Sequence, residues 1–321
     1  MSDIIKTLLS PKEFKKCNVI FDGSERRFKK EWSCFNQSNS WVQLFHDIII
    51  LCNGVRSSVL IDYMVPEWED LVEFLEYLKS KSELVKCLPN LTDIQIIFLD
   101  DFLFFLVNKA KLNERAIQDQ STSFSNYLFI DVSPSNENPQ LCNNSQYHIK
   151  LLNNLISVIN NNNNNNTSIK LNNHNDILEL NKNYYPIISG WLCEYPIIYC
   201  NSGYFQNCIS LNENLNNNTI NIDQLNKDWE NNNLGGDELI KIQVQLEEPI
   251  NQFLPIDILK VQSIVRICAF TCPQSLFKNV ESYLSNYEQR ILERFQNSTF
   301  KNYWKNIKFI KDVISNPSIR L

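Results

Sequence analysis

The chain has 321 residues, of which 43% are hydrophobic and 21% charged, with a formal net charge of −6. That balance excludes a disordered chain, and the length permits a core without disulfide or metal staples. The acidic excess argues against general nucleic-acid binding, and only 6 glycines leave little material for a Gly-rich phosphate loop.

The opening residues, Met1 to Pro11, place an acid at Asp3 and lack the basic and long apolar regions of a secretory signal. A cytoplasmic or nucleocytoplasmic protein is therefore expected, with its 10 cysteines reduced. Ser40 to Asn53 spaces Trp41, Leu44, Phe45, Ile48, Ile49 and Cys52 as a helix, and Gly54 is its stop. Val59-Leu60-Ile61 is a short β-branched run ending at Asp62. Pro66 opens a second helix, with Glu67, Glu69 and Asp70 at its positive end and Trp68, Leu71, Phe74, Leu75 and Leu78 on one face.

Ile94 to Leu99 and Phe102 to Val107 flank Asp100-Asp101 and predict a hairpin. The same two aspartates interrupt the longest apolar stretch, so no membrane span is expected. Tyr127 to Ile130 predicts a buried strand ending at Asp131, and Gln146 to Ile159 a helix. Asn-rich tracts at 160–183 and 212–236 predict surface insertions, because Asn supplies no apolar face and competes for backbone hydrogen bonds. Between them, Tyr195 to Tyr199 and Cys208 to Leu211 predict strands, and Leu239 to Leu246 alternates as a half-solvated strand. Two C-terminal helices follow from the spacing of Phe277, Val280, Leu284, Tyr287, Ile291 and Phe295, and of Phe300, Tyr303, Ile307, Ile310 and Ile314. The order predicts one mixed α/β (α+β) domain over 1–321, a mixed sheet covered by helices with a helical C-terminal part.

Chemistry has three candidate locations. Asp62 and Asp131 each end an apolar strand; on parallel neighbours they would emerge together at the carboxyl edge, where they could hold Mg²⁺ or act as acid and base. The plainer reading is that each caps the next turn. Cys208 is the cysteine favoured as a nucleophile, with His46 or His148 as its base; His174 lies in an Asn tract. Each histidine is more often a core or surface residue. Lys301, Lys305, Lys308 and Lys311 recur at helical spacing, as a solvated face or as a docking face for an acidic partner. No metal or cofactor is expected: no C-x-x-C occurs, and Cys268-x-x-x-Cys272 is the closest cysteine pair.

The segment Trp191-Leu192-Cys193-Glu194-Tyr195-Pro196-Ile197-Ile198-Tyr199, followed by Asn207-Cys208-Ile209-Ser210-Leu211, resembles an uncharacterised eukaryotic family named after human chromosome 1 open reading frame 74. Val59-Leu60-Ile61-Asp62 fits an early strand of that family. The family has no assigned activity, so the resemblance implies no catalytic residue. An interaction or scaffold protein with a protein partner is the leading expectation; an unrecognised hydrolase or transferase is the alternative.

Overall fold

The computed structural model describes residues 38–63, 68–80, 82, 85, 88–99, 103–142, 145–161, 167–171, 184–201, 234, 238–249, 264–302 and 304–314. Helix α1 (Ser38–Cys52) buries Leu44, Ile48 and Leu51 along one stripe. It ends in a Schellman motif: Val55 N donates to Ile50 O and Gly54 N to Leu51 O, with Gly54 at φ +67°. Glycine adopts that left-handed conformation without the Cβ penalty of other residues. The chain then enters β1 (Ser58–Leu60), and α2 (Trp68–Ser80) follows with Leu71, Phe74, Leu75 and Leu78 buried.

The hairpin forms from β2 (Ile94–Leu99) and β3 (Leu103–Asn108), paired antiparallel from Ile94↔Asn108 to Leu99↔Leu103. Their side chains alternate between two cores. Ile97, Leu99, Phe105 and Val107 face one, and Ile94, Ile96, Phe104 and Leu106 the other, which α1 and α2 close. Burial on both faces explains the near-continuous apolar sequence. Strand β1 pairs antiparallel with β3 at one edge. Asn108 joins neighbouring elements: its side chain caps α3 (Lys109–Ser121) by accepting from Lys111 N, and its Nδ2 donates to Leu51 O.

A second sheet sets β4 (Leu128–Asp131) parallel to β7 (Ile197–Cys200), with β5 (Gln140–Leu141) antiparallel on β4. Helices α4 (Gln146–Asn161) and α5 (Tyr185–Leu192) share the first core with α3. A third, antiparallel sheet has β8 (Leu239–Pro249) between β9 (Ile264–Pro273) and β10 (Trp304–Ile314). Helix α6 (Phe277–Asn297) lays Val280, Leu284, Tyr287, Ile291 and Phe295 on the core of that sheet. The β8–β9 ladder slips between Val244↔Cys268 and Gln245↔Arg266, leaving Ile267 as an extra, bulged residue.

Two sequence expectations are corrected. The segment 304–314 is a strand, not a helix. The spacing of Ile307, Ile310 and Ile314 mimics a helical stripe, yet ten residues of the segment pair with β8. In a strand, Lys305 and Lys311 take one face and Lys308 the other. Lys308 pairs with Glu247 at 3.5 Å, Lys311 with Glu288 at 2.9 Å, and Lys301 precedes the strand, donating to Gln296 O. The single lysine face is therefore lost. The first Asn tract is also more than an insertion: it contains β6 (Ser168–Leu171), parallel to β2, with Ile169 and Leu171 buried. In the second tract Leu234 is buried, and the strand expected at Cys208 to Leu211 lies outside the described residues. Among the described residues, no helix is long and apolar enough to cross a membrane.

Candidate functional site

The two strand-end aspartates do not meet. Asp62 follows β1 in the first sheet and Asp131 ends β4 in the second, so they share no carboxyl edge. Asp131 is buried and accepts from Ser133 N at 3.0 Å and Ser133 Oγ at 2.5 Å, which fits the plain turn-capping reading. Cys208 lies outside the described residues. His46 sits in the core, edge-on to the Trp304 ring at 6.3 Å, and burial lowers its pKa from 6.5 to about 4. His148 is buried in α4, with Nε2 3.5 Å from Cys142 Sγ.

Asp62 instead stands exposed beside a polar pocket of about 120 Å³. Helix α1 contributes Gln43 and Asp47; the turn into β1 contributes Arg56; the segment after β1 contributes Asp62 and Tyr63. The opposite wall is Arg266, Ile267, Cys268 and Ala269. The bulge sets Ile267 and Cys268 side by side toward the core, while Arg266 stays exposed. The bulge also leaves the Ile267 carbonyl to accept from Arg56 Nη1 at 3.0 Å.

Asp47 is the chemically distinctive group. It occupies the buried stripe of α1 between Leu44 and Ile48, where a carboxylate loses its water. Burial pushes its pKa up from 3.8 to about 7; the Tyr63 and Gln43 hydrogen bonds and Arg56 oppose that rise, and Asp62 adds to it. Tyr63 Oη donates to Oδ2 at 2.7 Å and Gln43 Nε2 to Oδ1 at 3.0 Å. The pocket thus holds a carboxyl populated in both protonation states near neutrality, beside a permanently charged guanidinium.

Arg56 links the pocket to a buried ionic network. Its Nη2 donates to Cys193 O, at the end of α5. That helix repeats the α1 stop: Tyr195 N donates to Gly190 O and Glu194 N to Trp191 O. Here, however, the left-handed residue is Glu194, at φ +56°. The conformation costs a non-glycine residue about 1–2 kcal/mol, and the side chain shows what holds it there. Glu194 accepts from Ser57 N and from Arg294 Nη1, each at 2.6 Å, and lies 3.4 Å from Arg115 Nη1. Burial would raise its pKa, but Arg294, then Arg115 and Arg290, hold it well below the ordinary range. Asp119, one turn after Arg115, accepts from Tyr127 Oη at 2.8 Å and Trp191 Nε1 at 2.9 Å, and the Arg115 guanidinium lies 4.7 Å over the Trp191 ring.

Sequence reading missed Asp47, Arg56, Tyr63 and Glu194. For Asp47 a signal existed: an acid on the apolar stripe of an amphipathic helix has to be solvated by protein groups. Nothing local marked Glu194, whose partners are 137 and 100 residues away.

A family model described as a domain of unknown function, DUF4504, matches residues 25–246, more than half of the chain. The match contains Asp47, Arg56, Asp62, Tyr63 and Glu194, while the β9 wall of the pocket follows it. No curated protein and no solved structure matches the chain.

Proposed function

The chain belongs to the DUF4504 family, and we propose that it binds and acts on a small polar molecule in the Asp47 pocket, with Asp47 giving and taking the proton. The observation that carries this reading is the geometry of the Asp47–Tyr63 pair: a buried carboxyl, hydrogen-bonded at 2.7 Å and lining a pocket, where burial pushes its pKa up to about 7. A general acid–base group works best when its pKa lies near the operating pH, and such groups concentrate at functional sites. Arg56 and the exposed Arg266 suit a ligand bearing a carboxylate or phosphate, and a cavity of about 120 Å³ suits a small one. Proton transfer during hydrolysis or group transfer is the chemistry the residues supply. We further read the protein as a single cytoplasmic domain and, on the strength of the residue blocks around Tyr195 to Tyr199, as a member of the open reading frame 74 family.

The test is a ligand screen followed by NMR, using small carboxylates, phosphates and polyols. Saturable binding that shifts the Tyr63 and Asp47 signals, and that weakens at least roughly tenfold in Asp47→Asn and Tyr63→Phe, supports the reading. A protein that binds none of these ligands, or an Asp47→Asn variant that binds as well as the wild type, refutes it.

A further inference from the structure

We propose that Cys142, His148 and Cys200 form a binding site for a thiophilic metal ion, Zn²⁺ first among them. The site is separate from the Asp47 pocket and does not depend on it. One ligand atom from each residue lies within 4.8 Å of the other two. A tetrahedral zinc site, with Zn–S about 2.3 Å and Zn–N about 2.0–2.1 Å, places its sulfur and nitrogen ligands roughly 3.5–3.8 Å apart. The separation of Cys142 Sγ and His148 Nε2, 3.5 Å, falls in that range.

The ligands come from well-fixed elements. Cys200 ends β7, and its thiol lies 3.4 Å from Ile130 O. Cys142 follows β5 directly, and its backbone N donates to Phe129 O at 2.9 Å, which fixes it beside β4. His148 is in the first turn of α4, with its ring 5.4 Å from the Phe129 ring. Two thiolates and a neutral imidazole around Zn²⁺ carry no net charge, so burying them costs far less than burying an isolated ion. Cys142 is partly exposed, whereas His148 and Cys200 are buried, and three protein ligands would leave the fourth tetrahedral position to water. The expectation of no metal rested on the missing short cysteine spacings. This set escapes that rule because sheet pairing, not a sequence motif, brings Cys142 and Cys200 together.

The experiment uses the full chain, purified under reducing conditions, equilibrated with Zn²⁺ and then desalted. The expected result is one tightly held Zn²⁺ per chain, and thiolate-to-metal charge-transfer bands when Co²⁺ replaces it. Cys142→Ser, His148→Ala and Cys200→Ser are each expected to lose the ion; Cys272→Ser, buried in the third sheet, is expected to keep it. In case a ligand variant fails to fold, alkylation mapped by mass spectrometry on the wild type gives a second readout. Zn²⁺ is expected to protect the partly exposed Cys142, and a chelator to remove the protection. Failure of the wild type to retain Zn²⁺ or Co²⁺, alkylation of Cys142 that Zn²⁺ does not slow, or a Cys142–Cys200 disulfide persisting under those reducing conditions would overturn the proposal.

Discussion

Replacing Asp47 with Asn tests the pocket chemistry without removing its shape. In the folded protein the carboxyl keeps its proton up to about pH 7, whereas an unfolded chain releases it near the ordinary value of 3.8. Between those values the native state holds the extra proton, so this group lowers stability as pH rises. Each pH unit between them is worth about 1.4 kcal/mol, giving about 4 kcal/mol in all. Asn has no proton to lose, and its amide can donate to Tyr63 Oη while its carbonyl accepts from Gln43. The variant should match the wild type near pH 3.5 and exceed it by about 4 kcal/mol near pH 8. Urea unfolding followed by tryptophan fluorescence at several pH values measures this difference directly. The wild-type profile alone is a poor readout, because His46 acts in the opposite sense. Held neutral down to about pH 4, it favours the fold as pH rises toward 6.5. A difference between variant and wild type that stays flat from about pH 3.5 to about pH 8, or that falls, would refute the reasoning.

The complementary variant His46→Phe keeps an aromatic ring beside Trp304 and should gain about 3 kcal/mol over the wild type on going from pH 7 to pH 4, by the same unfolding assay. Glu194→Gln should cost about 3–5 kcal/mol, because it leaves Arg115 and Arg294 without their shared anion. Glu194→Gly should cost no less, even though glycine accepts φ +56° without strain; a stabilised glycine variant would show that the ion pairs contribute little. Ile169→Ala should cost about 2–5 kcal/mol if β6 is a core strand, and under about 0.5 kcal/mol if the tract is only a surface loop. Lys308→Ala, at an exposed ion pair, should change stability by less than about 1 kcal/mol.

What the sequence revealed followed from where apolar residues answer to one neighbour at a time. Helices α2, α4 and α6 show clean stripes because each lays one face on a core, and α1 shows one although Ile50 also reaches a second core. The β2–β3 hairpin was legible because both of its faces are buried. Helix α3 was not, since Arg115 and Asp119 occupy its buried face and a charge-rich segment reads as solvated. Strand β6 was hidden because Ser168-Ile169-Lys170-Leu171 is too short to stand out between Asn runs. In β10 the apolar residues fall at spacings a helix would also give, and only pairing with β8 decides between them. At the pocket, Asp62 was visible as a strand-end acid, but its neighbours come from α1 and β9, and no local pattern joins those segments.

The Glu194 junction also bears on how the molecule assembles in time. Its carboxylate joins Ser57, 137 residues away, to Arg294, 100 residues away, so it closes only after two long chain loops have been brought together. Contacts of that sequence separation pay loop-closure entropy before they return any stabilisation, which places them late on the folding route. Interactions that form after the rate-limiting barrier act on the escape rate from the native state rather than on its rate of formation. Glu194 is therefore a kinetic latch: its loss should shorten the lifetime of the folded protein while leaving the refolding rate nearly unchanged.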